Sequence, residues 1–242
     1  MKKALIVVIS LSAIVFTSCK EDQPKPKVIY EEAKSSKDLT KKIDSTEIKV
    51  ADLPVHMEGT KYLIHPVGDI RIYDDSNRSY GSSRTNSSVS YAISNYNRFE
   101  ITGYFENLKF QHIDSTTIRP LTNKKIQIQT ATYLNTVAAR FKHQVLIYTL
   151  VDDDTNKDGK VDANDIRALY ISDISGKGFK KLSHDVQELI DWNLIETKGR
   201  IYFRTIEDIN KNGAFDKNDK VHYHFVDLLS PEWTVTSYEP VN

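Results

Sequence analysis

The sequence predicts an all-β chain built of repeated antiparallel four-stranded units, in a propeller-like or small blade array. Three observations carry that expectation. Runs of β-branched and aromatic residues of strand length recur at His143–Val151, Ala168–Ser172, Arg200–Ile206 and Val221–Val226, bounded by Gly, Asn and Asp. A twelve-residue Asp/Asn/Gly segment occurs twice, 54 residues apart, each time between two such runs. The same offset carries Ile147-Tyr148 onto Ile201-Tyr202 and Ile171-Ser172-Asp173 onto Phe225-Val226-Asp227, so the repeat is larger than the segment. Four short strands in a unit of this size make a blade.

At the start of the chain, Met1-Lys2-Lys3 is a short basic stretch, and Ala4 to Phe16 is largely apolar. That apolar run is too short to cross a bilayer core of roughly 30 Å as a helix, and residues 1–18 read as a signal peptide. Phe16-Thr17-Ser18-Cys19 resembles the lipobox of bacterial lipoproteins, with Phe16 in place of the more usual Leu. The resemblance implies cleavage before Cys19, acylation of its thiol and a lipid anchor in the bacterial outer membrane. Lys20-Glu21-Asp22 is similar to the signal that sends some Bacteroidetes lipoproteins to the cell surface; the periplasmic face is the alternative. Cys19 is the chain's only cysteine, so its acylation leaves no thiol for disulfides, metal binding or catalysis. Residues 19–50 are expected to be the lipidated cysteine and a disordered tether, since the stretch from Gln23 to Ser45 is charged, carries Pro24 and Pro26, and has little apolar content.

Residues 51–242 are expected to form one β domain, long enough for one sizeable core. Its first unit covers residues 59–108, with strands at Tyr62–His65, Ile70–Tyr73 and Tyr91–Ser94 and an exposed Ser/Asn/Gly-rich loop from Ser79 to Ser88. A second runs from Lys109–Asp114 through Ile118–Thr122 and Ile126–Ala131 to the strand ending at Val151. The third has strands at Leu169–Ile174, Phe179–Leu182, Leu189–Ile195 and Ile201–Ile206, with a turn at Ser175–Gly178. Leu169–Gly176 followed by Lys181-Leu182-Ser183 resembles blade motifs of the periplasmic β-propeller of the Tol system. The resemblance implies stacked blades, although the roughly 190 residues from Ala51 hold three or four units rather than a fuller ring.

The repeated segments are Asp154–Asp165 and Asp208–Asp219. A hard dication takes six to eight oxygens, and a twelve-residue loop supplies them from positions 1, 3, 5, 7, 9 and 12 when glycine at position 6 permits a sharp turn. Gly159 and Gly213 fix that register. The candidate ligands of the first loop are Asp154, Asn156, Asp158, the carbonyl of Lys160, Asp162 and Asp165. Those of the second are Asp208, Asn210, Asn212, the carbonyl of Ala214, Asp216 and Asp219. The pattern resembles the loop of EF-hands, and the Asp at position 12 is similar to the variant in dockerin modules. The resemblance implies two Ca2+ sites. Asp is one methylene shorter than the usual Glu, which makes Mg2+ a possible competitor. The flanks are strand-like where an EF-hand needs helices, so each calcium loop is expected to connect two strands. Val161 and Phe215 occupy the apolar position 8, expected to turn inward.

Without the leader's Lys2 and Lys3, acids outnumber bases by two, and neither a basic groove nor a cationic helix is present. Nucleic acid is therefore not expected as a partner. His222 and His224 share a strand face at i, i+2, but strand periodicity alone produces that, and no third ligand stands at a diagnostic spacing. Glu188 and Asp191 are expected to flank a strand rather than catalyse, and no catalytic residue is assigned. The expected function is a lipid-anchored envelope calcium-binding protein in which calcium clamps a β interaction module; its partner, protein or glycan, is unknown. The alternative is a glycan-binding or glycan-processing surface lipoprotein, for which Trp192 and Trp233 beside a carboxylate pair would be the mark.

Overall fold

The computed structural model describes residues 26–30, 48–74 and 87–241. The signal peptide, Cys19 with its acidic followers, residues 31–47 and most of the Ser79–Ser88 loop lie outside the described residues. Among the described residues the architecture is all-β and antiparallel, and no sheet closes into a barrel. Among the described residues no helix is long and apolar enough to cross a membrane.

Three sheets carry the fold. The first consists of β1 (Lys49–Ala51), β2 (Val55–His56), β3 (Tyr62–Asp69), β8 (Asn107–His112) and β9 (Ile118–Pro120). The second has six strands in the order β13 (Lys180–Lys181), β12 (Arg167–Asp173), β11 (Val145–Val151), β10 (Gln127–Tyr133), β7 (Glu100–Phe105) and β6 (Ser94–Tyr96). The third is a meander of β14 (Gln187–Ile195), β15 (Arg200–Glu207), β16 (Lys220–Asp227) and β17 (Val235–Tyr238). A separate hairpin joins β4 (Arg71–Asp74) to β5 (Ser87–Ser90), so the backbone at Ser87 and Ser88 is strand rather than loop.

The six-stranded sheet is the middle layer, and the period of two along its strands shows why. On β11, Leu146, Tyr148 and Leu150 enter the core shared with the first sheet, whose contributors include Ile64, Leu108 and Phe110. Val145 and Ile147 point the other way, into a core with Leu189, Ile201, Phe203 and Val226 of the third sheet. β12 divides likewise, Ala168 and Tyr170 to one side and Leu169 and Ile171 to the other. A strand buried on both faces reads as a continuous apolar run, and β11 is Val-Leu-Ile-Tyr-Thr-Leu-Val.

The four-stranded repeat is present with a different phase from the one expected. One unit is β10-β11-β12-β13 and the next is β14-β15-β16-β17, with each twelve-residue loop between its second and third strands. Each unit has a one-residue bulge in its first strand, at Gln129 and at Ile190. The sequence reading grouped Leu169–Ile174 and Phe179–Leu182 with Leu189–Ile195 and Ile201–Ile206, but the chain changes sheets after β13. Likewise β8 and β9 belong to the first sheet and not to a unit ending at Val151. Strand patterns locate strands, whereas sheet membership depends on which backbone edges pair, and that is not written in local periodicity. The reading also missed α1 (Asn135–Phe141), a helix of two turns between β10 and β11. Its signal was Val137 and Phe141 at i, i+4, the pair that faces the second core.

Part of the stretch expected to be tether lies in ordered contact with the body. β1 starts at Lys49, and Pro26–Tyr30 lies against the body, with the Val28 side chain buried.

Candidate metal centre

Both loops stand at hairpin ends, as expected. β11 and β12 pair from Val145↔Asp173 to Val151↔Arg167, and the first loop fills the turn. β15 and β16 pair from Arg200↔Asp227 to Glu207↔Lys220, so Asp208–Asp219 is the whole connection. Holding two strand ends side by side fixes the entry and exit of each loop.

Within the loops, the same backbone groups meet the same side chains. The position 5 amide donates to position 1 and to position 3: Asp158 N to Asp154 Oδ1 and Asn156 Oδ1, Asn212 N to Asp208 Oδ1 and Asn210 Oδ1, at 2.9 to 3.2 Å. Gly159 N and Gly213 N each reach the other oxygen of the position 1 carboxylate at 2.7 Å. Position 7 donates to position 5, position 11 to position 9, and position 9 to position 12 in both loops. The position 12 carboxylate also takes the position 2 amide, Thr155 N in one loop and Ile209 N in the other. Left-handed backbone falls at positions 4 and 6 of both, Lys157 and Gly159, Lys211 and Gly213.

These bonds orient the carboxylates and amides, and they leave lone pairs over at Asp154 and Asp158, which receive two donors and one, since a carboxylate has about four lone-pair sites. The donor set is entirely oxygen: carboxylate, carboxamide and backbone carbonyl. Such a set fits Ca2+ or Mg2+ and is a poor match for zinc or copper. Among the described residues no group of three or more His, Cys, Asp or Glu could hold a metal by itself. Much of each ligand set lies outside those residue types, in Asn156, Asn210, Asn212 and the carbonyls of Lys160 and Ala214. Asp165 and Asp208 are buried. A buried carboxylate is stable only with compensating donors, and Asp165 has three backbone amides and the Thr155 hydroxyl. Val161 and Phe215 are half-buried.

Neighbouring acids that fall outside the template have other partners. Asp152 accepts from the Tyr170 hydroxyl at 2.7 Å and from Lys181 Nζ at 2.8 Å, consistent with a register that starts at Asp154. Glu188 receives the Arg167 amide and guanidinium and Lys27 Nζ. Asp191 forms an ion pair with Arg204, whose hydrogen bonds hold its carboxyl below the usual range. Both lie within β14, where flanking positions were expected.

Two features escaped the sequence reading. One is Pro26–Tyr30, which touches both loops. Lys27 N and Val28 N donate to Gly213 O, Ile29 N donates to Thr155 O, and Thr155 Oγ1 donates to Lys27 O. The Tyr30 phenol is pushed up to about 12, first by burial and then by the nearby charge of Asp208. The other is His184, whose ring lies 5.6 Å from that of His224, which is itself 6.2 Å from the ring of His222. His224 is already engaged by Thr205 and Ser237, and His222 by Glu207. Sequence distance concealed both features.

Trp192 and Trp233 line separate shallow clefts. Trp192 shares one of about 410 Å³ with Phe99, Tyr133, Glu100 and Glu196, between the second and third sheets. Trp233 borders another with Asp173, Lys177 and Glu232. Set against protein-family models, curated proteins and solved structures, the chain matches none.

Proposed function

We propose that this chain is a lipid-anchored calcium-binding protein of the bacterial envelope, in which calcium clamps the two hairpins of a β interaction module. The observation that carries the reading is the position-by-position agreement of hydrogen bonds in two loops 54 residues apart. A solvated turn needs no such agreement. Bound calcium would supply the positive charge that lets clustered carboxylates sit together at a strand junction. The chain's own part is to aim them: backbone amides orient each carboxylate, and the paired strands hold the loop ends.

The test is a thermal melt of the full chain in calcium and then in chelator, beside calorimetry to register binding. At free calcium about 100 times the dissociation constant, each site should add roughly 2.7 kcal/mol to folding stability, a large part of a domain's total. A clear drop in midpoint on chelation is expected. An unchanged midpoint with binding confirmed would reject the clamp. The Trp192 cleft supports a second reading, glycan binding, because it sets an aromatic face beside Glu100 and Glu196. Oligosaccharide quenching of Trp192 fluorescence, lost in Trp192→Ala, would favour it.

A further inference from the structure

We propose that Pro26–Tyr30 is a strap that joins the two loops into one binding unit, seated when the loops hold calcium and released when they do not. The inference rests on the calcium reading above.

Lys27 of the strap and Thr155 of the first loop are 128 positions apart in sequence, yet the strap backbone bonds to both loops. Lys27 N reaches Gly213 O at 2.7 Å, and Val28 N reaches the same oxygen at 3.3 Å; this is the carbonyl of position 6 in the second loop. Ile29 N reaches the carbonyl of Thr155, position 2 of the first, at 3.0 Å. Thr155 Oγ1 returns a bond of 2.7 Å to Lys27 O. Lys27 Nζ rests on Glu188 at 3.0 Å, and Val28 is 5% exposed. A cleft of about 560 Å³ between strap and first loop is lined by Pro26, Lys27, Asn156 and Asp158, which leaves that loop open to solvent ions.

The strap has no secondary structure of its own, so its seating depends on where its acceptors stand. Both acceptor carbonyls belong to backbone that would wrap a cation. A loop that loosens without metal moves them, and the bonds that pin the strap are lost together. Thermodynamic linkage makes the coupling reciprocal: whatever calcium contributes to seating, seating returns to calcium affinity. Since the strap grips both loops, filling one prepares the other.

The experiment is hydrogen exchange on the full chain, read on the peptide containing Val28 and Ile29, in chelator and across a calcium chloride titration. Calorimetry on wild type and Val28→Asp accompanies it, and exchange on β11 and β15 confirms that the variant is folded. The expected result is protection of the strap amides only with calcium, together with roughly fivefold to tenfold weaker calcium binding and reduced cooperativity in Val28→Asp. Strap protection that is the same with and without calcium, while calorimetry registers binding, would overturn the coupling and leave the calcium reading standing. Unaltered affinity in a folded Val28→Asp would do the same. A wild-type chain that takes up no calcium would overturn both.

Discussion

Gly159 and Gly213 occupy the same loop position and the same left-handed backbone, φ +85° and +82°, but different surroundings. A Cβ added at Gly159 meets nothing within 4 Å, whereas one at Gly213 would lie 2.5 Å from Val28 O and 2.6 Å from Pro26 Cβ. Gly159→Ala should therefore cost only the left-handed strain, about 1 kcal/mol. Gly213→Ala should cost more, about 2 kcal/mol, and should also expose the Lys27–Val28 bond to trypsin. Urea melts and a timed digest check the two halves of that comparison. His224 provides a second residue-scale expectation. Burial, and then the neighbouring His184 and His222, push its imidazole down to about 4, and the neutral ring bridges Thr205 and Ser237. The unfolded chain takes up that proton near 6.5, so the stabilising effect is complete above that pH and is lost as pH falls from about 6.5 toward 4. The loss should be on the order of 2 kcal/mol. Urea melts at pH 7 and pH 4.5 should show it, and His224→Gln should flatten the dependence.

Among the elements, the two hairpins that carry the proposed calcium loops differ in charge. The first loop places four acids at ligand positions, Asp154, Asp158, Asp162 and Asp165, and the second three, Asp208, Asp216 and Asp219. More ligand charge raises calcium affinity, so the first site should bind more tightly. Calorimetry on Asp154→Ala and Asp208→Ala separates the sites, and equal or reversed affinities would reject the ranking. The hairpins were legible from the sequence because β11, β12, β15 and β16 are long β-branched or aromatic runs on both sides of a glycine-registered loop. α1 was not legible, because seven residues between two strands give helix periodicity too little length to show.

For the whole molecule, the three-layer stack puts both loops on one body, and the strap ties the start of the chain to them. On the lipoprotein reading, the strap also determines how far the domain stands from the membrane. From Cys19 to Pro26 the chain reaches at most about 25 Å, and from Cys19 to Ile48 about 100 Å, so an unseated strap lengthens the leash severalfold. The anchor has its own test. Acyl chains contribute about 0.8 kcal/mol per buried CH₂, so the native chain should fractionate with membranes and Cys19→Ala should appear in the soluble fraction. A Cys19→Ala chain that remains wholly with membranes would reject the anchor.

By itself the sequence determined the all-β class, the 54-residue repeat and the glycine-fixed register of the two twelve-residue loops. These are local properties: side-chain alternation, spacing, and a glycine where the backbone must turn left-handed. Tertiary structure decided which strands share a sheet, that β11 and β12 face two cores, that His184 joins His222 and His224, and that Pro26–Tyr30 lies across both loops. Each of these depends on pairing between distant segments, whose partners are selected by the shape and open hydrogen-bonding groups of the folded body. In the strap the deciding groups are two loop carbonyls and a pocket for Val28, and nothing in Pro-Lys-Val-Ile-Tyr announces them.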